Sequence, residues 1–147
     1  LGNTLFPAGA YGTWKNEIEA APQLMFPEIL DRFRSGKDVL ASDYIQAWVK
    51  LRELRNEWLN KTSEYDAVIL PTSQILPPNI ELLENDGDYY KKNNLLALKN
   101  TRIGNLMGLA SLTLPTGVPS TGFMLMSKPH SEDMLLSIGA AIEKIVN

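Results

Sequence analysis

Residues 65–72 read Tyr-Asp-Ala-Val-Ile-Leu-Pro-Thr, and this stretch decides the fold class. It contains a short, continuous apolar run with β-branched members, which Pro71 closes. A run of this kind is typical of a strand that is covered on both faces. We therefore predict a buried strand over residues 66–70.

A helix is predicted before this strand, over about residues 43–60. Ser42 is a good N-cap residue, and Asp43 places negative charge at the positive end of the helix dipole. Apolar side chains then recur at the spacing of one helix face: Ala47, Leu51, Leu54 and Trp58. A helix that leads into a buried strand indicates an α/β layer arrangement.

After this strand, the chain is predicted to continue with further helices and strands of the same α/β arrangement. Residues 72–88 show no period and are predicted to form a long loop, at the sheet edge where open α/β sheets usually bind ligands. A helix in one or two pieces is predicted over residues 89–107. Strands over residues 110–114 and 123–126 are predicted to pair antiparallel, and a last helix follows Ser131 as its N-cap.

The amino-terminal part gives weaker patterns. Glycines and a proline interrupt residues 1–12, which we predict to be a loop. Apolar spacing predicts a helix over residues 22–34 with Gly36 as its stop, and a shorter helix over residues 14–21. Because residue 1 is leucine and no signal peptide is visible, we expect either a processed start or a piece of a longer protein.

Composition excludes several classes of protein. The chain has 147 residues, 44% hydrophobic and 21% charged, which predicts one globular domain or a fragment of one. A net charge of −3 offers no basic field for nucleic acid and no cationic face for a membrane surface. Cysteine is absent and His130 is the only histidine, so neither a thiolate site nor a multi-histidine metal site can form. We expect no metal, no nucleic-acid partner and no membrane partner.

Few residues offer catalytic chemistry. The hydroxyls of Thr72 and Ser73 follow the first strand, where they could contact a ligand or simply turn the chain. His130 precedes a helix N-terminus, which disfavours its protonated form, and is interpreted as a solvent-exposed loop residue. A small hydrolase that pairs His130 with Ser131 or Ser73 remains an alternative.

Four stretches in this order resemble the carboxyl-terminal part of amidase signature enzymes. They cover about residues 10–146: residues 29–36 with 42–47, residues 65–72, Thr101–Asn105 with Gly108 and residues 114–117, and residues 132–136 with Glu143. One departure is Ala110, where the family usually has proline.

The resemblance implies an α/β/α sandwich around a mixed sheet, to which this chain would supply the last strands and flanking helices. It also implies hydrolysis of carboxylic amides by a Ser, a second Ser in a cis peptide and a Lys, without metal or organic cofactor. These catalytic residues lie upstream in full-length members, and no residue here matches them. We therefore expect no catalytic residue and no turnover in this chain alone.

The same resemblance suggests which residues would line a substrate pocket. Thr72, Ser73, Leu98 and Asn105 are the candidates. In the family's tRNA-dependent amidotransferase subunits, an acid lies seven positions before the asparagine and holds the substrate amine. Here that position is Leu98, which cannot pair with an ammonium group, so the chain resembles a general amidase more closely.

These inferences predict a cytoplasmic hydrolase fragment whose partner is a small-molecule amide. A homodimer is possible, since a fragment of a larger sheet would expose an apolar edge. The alternative is a non-catalytic α/β binding or interaction module derived from the amidase fold.

Overall fold

A computed structural model describes residues 1–146 of the chain. The chain divides into two compact units, residues 1–54 and residue 55 onward, and the boundary lies within a helix. Organisation as one domain stays a prediction. Among the described residues, no helix is both long and apolar enough to cross a membrane.

The first unit is helical. It contains α1 (Gly2–Ala20), a 3₁₀ turn (Pro22–Leu24), α2 (Pro27–Arg34), a second 3₁₀ turn (Ser35–Asp38) and the first part of α3 (Ala41–Lys61). The long predicted helix over residues 22–34 is split, since Pro27 starts α2 and the preceding Phe26 is extended.

The loop predicted for residues 1–12 is wrong, because α1 runs through this segment with Pro7 inside it. α1 packs on α2 and on the 3₁₀ turn that contains Gly36. Gly36 lies so close to Pro7 that a Cβ on the glycine would be 2.1 Å from the Pro7 carbonyl oxygen. Tertiary packing of this kind overrides the low helix propensity of glycine and proline.

The carboxylate of Glu19 on α1 links α1 to α2 and to the second 3₁₀ turn. Glu19 accepts two hydrogen bonds from the Arg34 guanidinium, at 3.0 and 2.6 Å, and a third from the Tyr11 hydroxyl at 3.2 Å. Lys37 lies 3.4 Å from the same carboxylate. The hydrogen bonds from Arg34 are the main reason that the pKa of Glu19 falls from its ordinary value of 4.5 to about 2.

This shift predicts an acid-sensitive contribution to stability. Because the pKa of Glu19 is lower in the folded chain than in the unfolded chain, its contribution is present above about pH 4.5. That contribution should be lost as the pH falls from about 4.5 to about 2. In the Glu19→Gln variant, the urea concentration at the unfolding midpoint should depend less on pH between about 2 and 4.5 than it does in wild type. The control is Glu143→Gln, which changes an exposed glutamate and should leave this pH dependence as it is in wild type. Equal slopes for wild type and Glu19→Gln would contradict the assignment.

The second unit is a small sheet with helices. Its strands are β1 (Val68–Pro71), β2 (Ala110–Pro115) and β3 (Gly122–Ser127), in the order β1-β3-β2, and both described pairs are antiparallel. The helices are α4 (Ile80–Asn85), α5 (Gly87–Ala97), α6 (Thr101–Met107) and α7 (Glu132–Val146). The predicted α/β class with flanking helices is confirmed, as is the antiparallel pairing of β2 with β3.

Two helices pack on opposite faces of the sheet. Leu125 and Leu114 form a buried cluster with Leu135 of α7, and Gly139 lets α7 approach Leu112. On the other face, α6 approaches β3 closely at Gly104. A Cβ added to this glycine would lie 3.3 Å from the Met126 methyl group. Because adjacent residues of a strand point to opposite faces, β3 is buried on both sides.

β1 differs from the prediction that it is covered on both faces. Ile69 is the register partner of the buried Leu125, yet its side chain is 63% exposed. The cause is the position of α7, which packs mainly on β2 and less on β3. β1 is an edge strand in the described chain, with one apolar face uncovered over Ile69.

The loop predicted for residues 72–88 is shorter than expected, because α4 and the start of α5 lie inside it. The Asn79 side chain accepts a hydrogen bond from the Leu82 amide at 3.1 Å. The Asp86 side chain accepts hydrogen bonds from the amides of Asp88 and Tyr89. Asn79 and Asp86 therefore begin helices, although the same residue types also mark turns.

Candidate functional site

A cavity of about 430 Å³ lies at the carboxyl end of β1. β1 stays hydrogen-bonded to β3 at this point, since the Thr72 amide donates to the Gly122 carbonyl at 3.0 Å. We call this cavity the hydroxyl cleft, and ten residues line it: Pro71, Thr72, Ser73, Gln74, Ile75, Leu76, Thr113, Ser120, Thr121 and Gly122. It lies at the sheet edge where the sequence predicted ligand contact.

Thr72 and Ser73 both line the cleft and both make internal hydrogen bonds. The Thr72 hydroxyl donates to the Thr113 hydroxyl at 3.4 Å. The Ser73 hydroxyl donates to the Ile75 carbonyl at 3.0 Å and accepts from the Ile75 amide at 3.3 Å, which closes a tight turn. The structure thus places these residues at a cavity wall and also in a turn, and a substrate-contacting role stays a prediction.

The turn between β2 and β3 supplies the opposite wall. The Thr121 hydroxyl donates to the Val118 carbonyl at 2.8 Å and is also hydrogen-bonded to the Thr116 hydroxyl. Ser120 has a φ of 61°, a left-handed conformation that is uncommon for residues other than glycine. This segment brings two further hydroxyl residues, Ser120 and Thr121, into the cleft.

The other two predicted pocket residues do not line the cleft. Leu98 directly follows α5 and has 41% of its surface exposed, and Asn105 is exposed on α6. The residue that reaches the site from this region is Asn100, which is 8% exposed. Its side-chain amide donates to the Pro71 carbonyl at 2.7 Å and so fixes the end of β1. No periodic pattern marks Asn100, so the sequence alone does not reveal this contact.

Asn100→Ala should destabilise the chain by about 0.5–1.5 kcal/mol, because it removes the part-buried hydrogen bond that the Asn100 side chain donates to the Pro71 carbonyl. Urea denaturation measures this loss. Asn105→Ala is the matched control, since Asn105 is an exposed asparagine on the adjacent helix and should cost less than about 0.5 kcal/mol. Equal losses for the two variants would show that the Asn100 hydrogen bond contributes nothing specific.

His130 and its neighbouring serine do not form a nucleophile–base pair. His130 is exposed with a φ of 62°, and its ring makes no hydrogen bond to the part of the chain that the structure describes. Ser131 directly precedes α7, as predicted, and its backbone carbonyl accepts a hydrogen bond from the Leu135 amide at 3.0 Å. Its buried hydroxyl donates to the Lys128 carbonyl at 2.6 Å. Ser73 donates to a backbone carbonyl as well, so neither serine is held by a base.

The cleft itself also lacks acid–base chemistry. None of its ten lining residues is a histidine, lysine, arginine, aspartate or glutamate. Within residues 1–146, no group of three or more acidic or histidine side chains is placed to hold a metal ion. The lining of the cleft therefore supplies no general base.

Comparison with known proteins identifies sequence relatives of the chain. A family model described as "Amidase" matches residues 9–136. A 2-amino-5-chloromuconic acid deaminase from Comamonas testosteroni is 27% identical over 124 residues, which are 82% of this chain and 27% of that protein. A glutamyl-tRNA(Gln) amidotransferase subunit from Sulfurisphaera tokodaii is 31% identical over 129 residues, 82% of this chain and 26% of that protein.

The fold of the chain is also similar to that of a solved amidase. A crystal structure of an amidase aligns with a TM-score of 0.78 at 19% identity, covering 99% of this chain and 34% of that one. The chain thus spans about a quarter of the length of the curated relatives above. Since the family model covers most of the sequence, the chain belongs to the amidase family.

Proposed function

We propose that this chain is the carboxyl-terminal portion of an amidase that hydrolyses carboxylic amides. Water is added across the carbon–nitrogen bond, so that the acyl carbon gains a hydroxyl group and the leaving nitrogen gains a proton. The products are a carboxylic acid and ammonia or an amine. The family match over residues 9–136 is the observation that carries this proposal.

The proposed catalytic Ser, cis-Ser and Lys lie outside these 147 residues. Two observations support this division. The hydroxyl cleft contains no ionisable side chain, and the hydroxyls of Ser73 and Ser131 donate to backbone carbonyls rather than to a base. The chain alone should therefore not hydrolyse an amide that it binds.

The proposed contribution of the chain is one wall of the acyl pocket. Thr72 and Ser73 form part of the hydroxyl cleft, and the segment from Leu98 to Asn105 is tied to the same end of β1 through Asn100. The partner is a small-molecule amide; nucleic acid, membrane, metal and organic cofactor have no part in the proposal. A homodimer and a cytoplasmic location stay predictions.

A general amidase fits the residues better than a tRNA-dependent amidotransferase subunit. Leu98 occupies the position at which those subunits are expected to carry an acid. An apolar side chain there cannot pair with a substrate ammonium group. The relatives include both a deaminase and amidotransferase subunits, so the choice is based on Leu98.

The reading frame upstream of Leu1 provides the first test. A lysine and a glycine- and serine-rich stretch encoded there would support the catalytic proposal. A start codon directly before Leu1 would contradict it, and would favour a non-catalytic binding module built on the amidase fold.

A further inference from the structure

The two edge strands of the sheet differ in their side chains. In β2, apolar residues that pack with α7 alternate with the exposed Ser111 and Thr113, a pattern typical of a strand with one face in water. β1 contains no polar side chain at all, and yet its Ile69 is exposed. The side chains of β1 therefore match a strand inside a larger sheet, although β1 lies at an edge of the described chain.

The backbone of β1 offers free hydrogen-bonding groups at Ile69. The Thr72 amide donates to the Gly122 carbonyl on β3. Because every second residue of an antiparallel pair bonds to the partner strand, the N–H and C=O of Ile69 and the C=O of Pro71 point away from β3. The Asn100 side chain bonds to the Pro71 carbonyl on that outer side, whereas no strand within residues 1–146 pairs with Ile69 there.

This outer edge has little protection against pairing with another strand. β1 is short, but it carries no charged side chain, and its register with β3 runs without a bulge from Val68 to Pro71. The face over Ile69 is uncovered as well, because α7 packs mainly on β2. The edge therefore suits the addition of a strand, and the face suits an apolar element that covers it.

The length of the related proteins indicates what covers β1. The solved amidase contains the fold of this chain within 34% of its own length, so most of that protein lies outside the shared part. A second copy of this chain is the competing occupant. Two copies paired through β1 would each satisfy the edge, but the face over Ile69 would stay bare, because α7 of each copy packs mainly on its own β2.

We infer that β1 is the junction at which the upstream part of the longer protein joins this chain. A strand of that part pairs with the N–H and C=O of Ile69, and an apolar element of the same part covers the Ile69 side chain. The inference rests on the proposed function, since it takes the chain to be the carboxyl-terminal portion of an amidase. It places the upstream part next to the strand whose carboxyl end borders the hydroxyl cleft.

Amide hydrogen exchange in the protein extended upstream tests this junction. There the Ile69 amide should exchange about as slowly as the Leu70 amide, which points toward β3 within this chain. In the 147-residue chain, the Ile69 amide should exchange roughly a hundredfold faster than the Leu70 amide. Sedimentation must show that the longer protein is a monomer, so that a second copy cannot supply the protection.

Ile69→Ala tests the apolar cover. In the longer protein it should lower the urea concentration at the unfolding midpoint by roughly 0.5 M or more, because it leaves a cavity under the covering element. In the 147-residue chain the midpoint should stay close to that of wild type, since the side chain is exposed. The control in both proteins is Ile145→Ala, at an exposed isoleucine near the end of α7, which should leave the midpoint unchanged.

Three results in the longer protein would overturn the junction: an Ile69 amide that exchanges roughly a hundredfold faster than that of Leu70, slow exchange that appears only on dimerisation, or equal midpoints for wild type and Ile69→Ala. Each can be read without the short chain, should that chain not fold alone. Slow exchange at Ile69 without amide hydrolysis would contradict the proposed reaction only. Hydrolysis together with fast exchange at Ile69 would contradict the junction only.

Discussion

Gly36→Ala is expected to destabilise the first unit by about 3 kcal/mol, at the upper end of the range for overpacking. The added Cβ would lie 2.1 Å from the Pro7 carbonyl oxygen and 2.5 Å from its carbon. Both are backbone atoms inside α1, so no side-chain rotation can relieve the clash. The 3₁₀ turn would have to separate from α1, and urea denaturation followed by circular dichroism measures the loss.

Gly9→Ala and Gly12→Ala provide the controls for this prediction. A Cβ at either position meets no atom within 4 Å, and both glycines lie inside α1. Alanine is a better helix former than glycine, so these variants should be stabilised by roughly 0.5–1 kcal/mol. If Gly36→Ala proved as harmless as these two, the packing of α1 on the turn at residues 35–38 would be wrong.

Leu125→Ala is expected to cost about 2–5 kcal/mol, because it removes a large side chain from the centre of the second unit. Leu125 is 1% exposed on the middle strand and packs in one cluster with Leu114 and Leu135. The surrounding strands and α7 cannot fully close the cavity that the substitution leaves. Urea denaturation measures the cost.

Ile69→Ala is the matched control, since Ile69 is the register partner of Leu125 on the same face of the sheet. Its side chain is 63% exposed, so the substitution should change the free energy of unfolding by less than about 0.5 kcal/mol. Comparable losses at the two positions would show that α7 covers β1 as well as β3. That result would restore the prediction that β1 is covered on both faces.

Periodic patterns predicted the elements that bury a continuous apolar stripe. α3 was expected over residues 43–60 and is observed over Ala41–Lys61. β2 and β3 were predicted within one residue at each end. In these elements local spacing and tertiary packing favour the same structure, so the sequence alone is informative.

The elements that sequence reasoning missed depend on single contacts rather than on patterns. α1 contains Pro7 and several glycines and is supported by its packing on the turn around Gly36. The starts of α4 and α5 depend on the side-chain oxygens of Asn79 and Asp86, residue types that serve equally in turns. The exposure of Ile69 depends on where α7 packs, which no local window of sequence can show.

The candidate site was predicted in part. Its place at the carboxyl end of β1 and the presence of Thr72 and Ser73 followed from the order of strand and loop. Asn100 and Ser120 could not be found in that way, because one contributes a single long-range hydrogen bond and the other a backbone conformation. Leu98 and Asn105 lie outside the cleft, and their part in a substrate pocket stays a prediction.

The central claim is that this chain is the carboxyl-terminal portion of an amidase whose catalytic residues lie outside it. The most direct measurement compares hydrolysis of simple carboxylic amides by the 147-residue chain and by the protein extended upstream in the reading frame. We predict turnover by the extended protein and none by the chain alone. Enzyme-like hydrolysis by the 147 residues that is lost in Ser73→Ala, or an extended protein without turnover, would contradict this account.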